Sequence, residues 1–203
     1  PSGSFTIVGD LGQASQPGSA DSWQTVLAQL PRRETPRVVN LTVNYRTPAE
    51  VMELAARVLV ASTPGVEPSR SVRSTGEQPR RVLVEAGTLV ARACDETRAV
   101  VERGGKVAVI ARPELHDELV AALADCGAVA ESAEALDAPV AVLDPVAAKG
   151  LEFDHVVVLE PSTLVTDDAA GLRLLYVTIT RATKSLTLVH ERPLHRALAA
   201  PND

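Results

Sequence analysis

Two arginines of the chain are candidates for binding a phosphate group. Arg46 lies between a predicted strand and a predicted helix, and its planar guanidinium matches the geometry of phosphate oxygens. Tyr45 beside it offers a ring face on which a base could stack. Arg181 lies near the end of a largely apolar predicted helix, where an arginine could stabilise charge on a transferring phosphoryl group. The residues alone leave simpler alternatives open: a solvated arginine beside a structural tyrosine, and a cation at a helix end.

Two further segments combine glycine with polar side chains next to predicted strands. In the segment 148–154, Gly150 permits a backbone turn that would strain other residues, and Glu152 could accept hydrogen bonds from ribose hydroxyls. In the segment 8–13, a Gly-Asp turn precedes Gln13 at a predicted strand end, and parallel sheets bind ligands beyond the carboxyl ends of their strands. A charged loop and an ordinary Gly-Asp turn are the respective alternatives.

Strands and helices alternate along the chain and must position these side chains. Apolar runs predict strands at 5–8, 37–43, 81–85, 106–111, 128–130, 140–143, 155–159 and 185–190. Helices are predicted at 88–103, 113–124 and 171–183, with a short helix or strand-like cover at 23–30. One more helix is predicted to be capped by Thr47, to begin at Pro48 and to end near Ala61. Residues 62–79 are predicted to form an exposed loop and residues 197–203 a frayed tail. This alternation predicts an α/β fold with a parallel sheet.

Composition restricts both the core and the function. The 203 residues fit one domain, or one domain with a flank. Because 45% of the residues are hydrophobic and only 2% aromatic, valine, leucine, alanine and isoleucine must build the core, which suits a parallel sheet covered by helices. No apolar run reaches the roughly 18 residues of a membrane span, the start lacks a signal-peptide layout, and a cytoplasmic location is predicted. The net charge of −6 argues against a strongly basic nucleic-acid surface.

No metal site is predicted from the cysteines and histidines. Cys94 and Cys126 lack the spacing of metal ligands and are expected to be buried or unreactive thiols. The four histidines are scattered and are expected at the surface or at strand edges. They are His116, His155, His190 and His195.

The order of the four segments resembles that of the later motifs of superfamily 1 helicases of the UvrD/Rep/PcrA type. In that family's terms, residues 9–13 look like motif III and residues 44–46 like motif IV. Residues 148–154 (Ala-Lys-Gly-Leu-Glu-Phe-Asp) look like motif V, and residues 175–182 look like motif VI. The resemblance implies the second RecA-like domain of such a protein, with a parallel sheet flanked by helices on both faces. It places the end of the first RecA-like domain at 1–30, the second domain at 31–196 and a tail at 197–203.

The resemblance implies a catalytic role for three residues at an ATP site. Arg46 and Arg181 would reach across the cleft between two RecA-like domains to the γ-phosphate. Gln13 would sense that phosphate and couple it to the motor.

The resemblance also implies nucleotide-binding roles for the rest of the set. Tyr45 would stack near the adenine, Glu152 would hold the ribose, and Gly150 would approach the nucleotide by its backbone. Lys149 belongs to the motif without a defined role. Arg46 and Arg181 complete this ATP-binding set.

Two features of a complete ATP site are missing from the sequence. No G-x-x-x-x-G-K-[ST] phosphate loop occurs, and no Asp-Glu pair follows an apolar strand. In the resembling family both belong to the first RecA-like domain, which would therefore supply the Mg²⁺ site as well. The 203 residues alone are expected to have no ATPase activity. The predicted strand 5–8 would then be separated from its own sheet, and it is expected to be displaced, disordered or paired with a neighbouring molecule.

Two departures from the family pattern bear on what the protein acts on. UvrD, Rep and PcrA carry a large domain before motif V, whereas only residues 128–139 lie in that place here. Asp144-Pro145 replaces the Thr and His that contact single-stranded DNA, and an aspartate there would repel a phosphate backbone. Both departures resemble HelD, the helicase-like ATPases that bind bacterial RNA polymerase. A DNA helicase or translocase that binds single-stranded DNA remains the alternative, followed by a non-enzymatic RecA-like binding module.

Overall fold

A six-stranded parallel sheet forms the centre of the protein. The computed structural model describes residues 6–16, 18–20, 22–30, 35–130, 132–166 and 168–199. The central sheet has the order β3-β8-β7-β4-β6-β5, and all of its strand pairs in the described chain are parallel. A separate parallel pair is formed by β1 and β2. The strands are β1 Val43–Asn44, β2 Arg70–Ser71, β3 Arg80–Leu83, β4 Val107–Ile110, β5 Ala128–Ala130, β6 Val140–Leu143, β7 Phe153–Leu159 and β8 Ala182–His190.

Helices cover both faces of the central sheet. Two hydrophobic clusters flank the strands, one built with α2 and α6 and the other with α3 and α4. The helices are α1 Trp23–Ala28, α2 Ala49–Ser62, α3 Leu89–Val101, α4 His116–Ala122, α5 Pro161–Leu164 and α6 Ala169–Ile179. Short 3-10 turns are formed by Leu11–Gln13, Pro113–Leu115, Ala124–Cys126 and Ala133–Leu136. The predicted α/β RecA-like architecture with helices on both faces is confirmed.

The interior strands explain why so aliphatic a sequence folds this way. Every residue of β4 (Val-Ala-Val-Ile) and of β6 (Val-Ala-Val-Leu) is buried. A strand with helices on both of its faces has no solvent side, so an uninterrupted aliphatic run is favoured over an alternating one. β-branched valines suit the extended backbone as well.

The amino-terminal strand predictions were wrong. Residues 6–10 form no strand, and Val8 has 85% of its surface exposed. Phe5 lies outside the described residues. The strand predicted at 37–43 is reduced to Val43–Asn44, and its partner Arg70–Ser71 lies inside the segment that was predicted to be an exposed loop.

Several helix ends also differ from prediction. The last helix ends at Ile179 and β8 already begins at Ala182, so the helix predicted to run to residue 183 is too long. Helix α2 begins at Ala49 with Pro48 as its N-cap residue, so Thr47 does not cap it. The helix predicted at 113–124 consists of a 3-10 turn followed by α4.

The described part of the carboxyl-terminal tail is packed and not frayed. Leu198 is fully buried in the cluster beneath α2 and α6. Its carbonyl oxygen accepts a hydrogen bond from Arg81 Nε at 2.6 Å, and the carbonyl of Ala199 accepts one from Arg57 Nη1 at 2.7 Å. Residues 200–203 lie outside the described residues.

Three histidines are buried, contrary to prediction. They are His116, His155 and His190, whereas His195 is half-buried. In the described residues no group of histidine, cysteine and acidic side chains could hold a metal ion. Cys94 and Cys126 are free thiols. None of the described helices is long and apolar enough to cross a membrane.

The burial of His155 predicts a pH dependence of stability. Its Nδ1 lies 2.7 Å from the hydroxyl of Ser185 and its Nε2 lies 3.3 Å from the carbonyl oxygen of Gly104. Burial, aided by the positive charge of Arg103, lowers the pKa of His155 below its usual 6.5. The unfolded chain therefore binds more protons than the folded one just below pH 6.5. The stability that this histidine contributes is fully present above pH 6.5 and is lost as the pH falls through the folded pKa.

Urea unfolding between pH 7.5 and 5 tests this expectation. His155→Asn should remove a slope of up to about 1.4 kcal/mol per pH unit from the wild-type curve. Val60, which is 56% exposed on α2 and does not titrate, serves as the control, and Val60→Ala should leave the slope unchanged. Equal slopes in the wild type and His155→Asn would contradict the assignment.

Candidate functional site

The predicted site residues gather at the amino-terminal ends of β7 and β8. The turn at Thr180 and Arg181 joins α6 to β8. The carbonyl of Arg181 accepts a hydrogen bond from Phe153 N at 3.0 Å, and the carbonyl of Thr180 accepts one from Thr47 Oγ1 at 3.4 Å. The starts of β7 and α2 therefore meet at this turn. The segment 144–152 runs from the carboxyl-terminal end of β6 back to the amino-terminal edge of the sheet, where Glu152 precedes β7.

Arg46 and Glu152 form an ion pair at this edge. Arg46 Nε lies 2.8 Å from Glu152 Oε1, and the two side chains are 57% and 42% exposed. Asn44 Oδ1 accepts hydrogen bonds from the backbone N–H groups of Arg46 at 2.8 Å and Thr47 at 3.0 Å. These two bonds fix the backbone turn that follows β1 and therefore the direction of the Arg46 side chain. An exposed pair of this kind contributes at most about 1 kcal/mol, so an incoming anion can displace Glu152 at little cost.

Arg181 lies beneath this pair and is only 5% exposed. Its guanidinium donates to Val177 O at 2.9 Å, Leu151 O at 3.1 Å and Thr180 Oγ1 at 3.2 Å. Burial lowers the pKa of Arg181, and the positive charge of Arg46 lowers it further. Three of the five N–H groups of the side chain are used in these bonds, so the guanidinium is held in one orientation.

Gln13 and Lys149 approach the same region from another side. The turn Leu11–Gln13 packs on α2 and α6 at Gly12, where an added Cβ would lie 2.7 Å from Leu59 Cδ1. The Gln13 amide donates to Asp10 Oδ2 at 2.7 Å, and the carbonyl of Gln13 accepts from Lys149 Nζ at 2.9 Å. Lys149 thus joins the segment before β7 to the amino-terminal turn.

Gly150 and Tyr45 are both exposed at this edge. Gly150 has a φ of +84°, a conformation that favours glycine, and nothing lies within 4 Å of the position of an added Cβ. The turn before it begins at Asp144, whose carboxylate accepts the N–H groups of Val146 at 2.5 Å and Ala147 at 2.8 Å. Tyr45 is 74% exposed, so its ring face is free for stacking.

Two site residues were missed by the sequence reasoning. Asp10 accepts hydrogen bonds from Gly12 N at 2.9 Å and from the Gln13 side chain, and it acts electrostatically on Arg181. Tyr176 is buried, and burial together with the charge of Asp10 raises its pKa to about 12. The position of Asp10 two residues before Gly12 is typical of an Asx turn and could have indicated its role.

The arrangement is suited to binding an anion. It combines the buried cation of Arg181, the two exposed cations Arg46 and Lys149 and the carboxylates of Asp10 and Glu152. The two described cavities lie elsewhere, at the carboxyl ends of the strands. These cavities, of about 340 and 90 Å³, are lined mainly by residues of β3 and α3 and by residues around Glu160. The predicted site is instead an open surface, as expected for one side of a cleft.

Part of the chain resembles a known helicase family. Residues 139–189 match the family model of the UvrD-like helicase C-terminal domain. The matched segment contains Lys149, Gly150, Glu152 and Arg181, and it excludes Arg46.

One of the matching solved structures shares the fold. The C-terminal domain of a possible DNA helicase from Lactobacillus plantarum WCFS1 matches with a TM-score of 0.58 and 24% identity, covering 77% of this chain and 92% of that one. A DEAD box protein from Methanococcus jannaschii matches with a TM-score of 0.38 and 13% identity, covering 65% of this chain and 40% of that one. No curated protein matches the sequence.

The buried position of Arg181 predicts a stability effect that Arg46 lacks. Arg181→Ala leaves the carbonyl oxygen of Leu151 without its donor and leaves that of Val177 with Thr180 Oγ1 alone, and an unsatisfied buried group costs about 1–3 kcal/mol. Arg46→Ala breaks only an exposed pair and should cost less than about 1 kcal/mol. Urea unfolding of both variants measures the difference, and equal losses would contradict the geometry described for Arg181.

Proposed function

We propose that this chain supplies one side of an ATP site that is shared with a second RecA-like domain carrying a phosphate loop. The observation that supports this most directly is the exposed Arg46–Glu152 pair, both of whose charges act on the buried Arg181. Two arginines of a helicase-like domain thereby face the same open edge. A γ-phosphate, with its several negative oxygens, is a ligand that can interact with both guanidinium groups.

The charges at this edge indicate how the nucleotide is bound. The γ-phosphate takes the place of Glu152 beside Arg46, and Glu152 then accepts hydrogen bonds from the ribose hydroxyls. Arg181, already oriented by its three hydrogen bonds, adds positive charge without having to reorganise. Tyr45 stacks near the adenine, and the open space beside Gly150 lets the nucleotide approach the backbone.

Gln13 completes the proposed response to the γ-phosphate. Its amide is bonded to Asp10 in this structure, and its carbonyl is bonded to Lys149. If the Gln13 side chain rotated toward the γ-phosphate, its hydrogen bond to Asp10 would break. The packing of the 3-10 turn Leu11–Gln13 on α2 and α6 would then change. Mg²⁺ and the phosphate loop come from the other domain, because the 203 residues contain neither a phosphate loop nor an Asp-Glu pair after an apolar strand.

Removal of either arginine should slow ATP hydrolysis by the full-length protein. Arg181→Ala should lower kcat by about 10³-fold or more, as expected for an arginine that stabilises the transferring phosphoryl group. Arg46→Ala should lower kcat in the same direction. Arg112, which is 53% exposed at the opposite edge of the sheet, is the control, and Arg112→Ala should leave kcat unchanged.

Steady-state phosphate release measures these effects. The 203-residue chain by itself should release no phosphate from ATP. Turnover by the isolated chain that depends on Arg181, or an undiminished kcat in the full-length Arg181→Ala variant, would contradict the proposal.

For the parent protein we propose the HelD type, an ATPase that remodels or recycles RNA polymerase. The β5–β6 connection is limited to residues 131–139, so no inserted domain lies before β6. Asp144 lies at the end of β6 and adds negative charge where a DNA-binding relative would contact a phosphate backbone. A DNA helicase or translocase of the UvrD type is the second candidate, favoured by the possible DNA helicase from Lactobacillus plantarum that shares the fold. A non-enzymatic binding module is the third candidate.

Two activities of the full-length protein separate these candidates. The HelD type should co-purify with RNA polymerase and should fail to unwind a tailed DNA duplex. Asp144→Thr should not create unwinding activity, because the residue at this turn is only one of several differences between this chain and the UvrD-type DNA helicases. Robust unwinding without association with polymerase would support the second candidate and would contradict the first.

A further inference from the structure

An apolar stretch of the chain before Arg46 is exposed to solvent. Val39 is 64% exposed, Leu41 82%, Val43 46% and Tyr45 74%. These side chains recur at every second position, which is the spacing of residues that share one face of a strand, and Val38 on the other face is 56% exposed as well. Val72, on the neighbouring segment, is 59% exposed.

This stretch has a strand-like sequence but forms almost no strand. Residues 37–43 predict a strand, yet only Val43–Asn44 is paired, in register with Arg70–Ser71. The resulting sheet has two strands, so one edge of β1 has no neighbour in the described chain. Because the backbone groups of successive residues in a strand point alternately to its two sides, those of Val43 face this open edge.

The two-stranded sheet is firmly attached to the rest of the domain. Ser71 Oγ donates to Thr47 O at 2.6 Å, and Ala49 N donates to Arg73 O at 2.7 Å. The buried Glu50 carboxylate accepts the N–H of Gly76 at 2.8 Å and a bond from the hydroxyl of Ser74. The open edge is therefore presented by an anchored platform.

The platform carries a local positive charge. Residues 35–46 and 68–76 contain four arginines and no acidic residue, although the whole chain has a net charge of −6. The four are Arg37, Arg46, Arg70 and Arg73, and all are exposed. Arg46 is paired with Glu152, so the other three carry the charge that is left for a partner.

We propose that an acidic, extended segment of a partner protein binds here by adding a strand to the open edge of β1. The backbone of the added segment would pair with residues 38–43 and extend β1 toward the amino terminus. Its apolar side chains would cover Val39, Leu41 and Val43, and its carboxylates would meet Arg37 and Arg70. The partner thus supplies the strand pairing that the sequence of this stretch favours and the described chain lacks.

Two other occupants fit the surface less well. A second copy of this chain would bring one arginine-rich platform against another, and like charges oppose such pairing. Single-stranded nucleic acid binds through arginines and aromatic stacking, but Tyr45 is the only aromatic residue between positions 35 and 76. Aliphatic side chains such as Val39 and Leu41 instead favour a peptide with apolar side chains.

The proposed surface adjoins the proposed ATP site at Tyr45 and extends away from it toward Val39. Strands rise about 3.3 Å per residue, so a strand from Tyr45 back to Val39 would extend roughly 20 Å away from the nucleotide. Binding of the segment can therefore fail or succeed independently of ATP hydrolysis.

Peptide binding to the 203-residue chain tests the proposal. The probe is a fluorescein-labelled octapeptide of alternating glutamate and valine, and its affinity is measured by fluorescence anisotropy. Leu41→Asp and Arg70→Glu should each weaken binding by about tenfold or more, since each places a negative charge against the acidic probe. Val60→Asp is the matched control, because Val60 is 56% exposed on α2, and it should leave the affinity unchanged.

Hydrogen exchange locates the bound probe. The amides of residues 38–43 should gain protection when the glutamate-valine peptide binds. An octapeptide of alternating lysine and valine should neither bind nor protect them. Lack of binding by the acidic peptide, equal binding of the basic one, protection of the same amides by oligodeoxythymidylate, or a dimer that buries residues 38–43 would each overturn the proposal.

Discussion

The candidate site depends on the buried guanidinium of Arg181. Its hydrogen bonds join the end of α6 at Val177 and Thr180 to Leu151, which lies in the segment that crosses back from β6 to β7. Both of these elements enter the sheet at its amino-terminal edge. Without the bond to the carbonyl oxygen of Leu151, the crossing segment would lose its side-chain hydrogen bond to Arg181 just before Glu152 and would be held there by the packing of Ala148 and Leu151. The same side chain that is proposed to face the nucleotide therefore also holds the surface that surrounds it.

The charges above Arg181 are balanced in a way that suits one side of a cleft. Glu152 neutralises the exposed Arg46, while Asp10 and Glu152 both act electrostatically on the buried arginine. A buried cation is costly unless carboxylates or hydrogen-bond acceptors surround it, and this site supplies both. An anionic ligand can replace the partly exposed carboxylate of Glu152 and leave the buried Arg181 in place. The cationic groups of the site are therefore already in position for an anionic ligand, but the open surface cannot enclose one.

Much of this fold could be predicted from sequence because its strongest signals are local. The aliphatic runs of β4, β6 and β7 identify interior strands. The order of the glycine, glutamate and arginine segments predicts site residues, of which Arg46, Glu152 and Arg181 lie near one another in the fold. The failures concern partners that are distant in the sequence. The stretch 37–43 has a strand pattern, but pairing with Arg70–Ser71 covers only its end. The burial of Arg181 and His155 also depends on packing between distant segments, and the β-branched residues before Arg181 gave no local sign of where α6 ends.

Nucleotide binding to the full-length protein tests the central claim most directly. Calorimetry would compare ADP with ADP–aluminium fluoride, which mimics the transferring γ-phosphate, in the wild type and in Arg46→Ala and Arg181→Ala. If both arginines act on the γ-phosphate, each variant should lose at least about tenfold more affinity for the aluminium fluoride complex than for ADP. Unchanged affinity for the aluminium fluoride complex, or an equal loss for both ligands, would contradict the account.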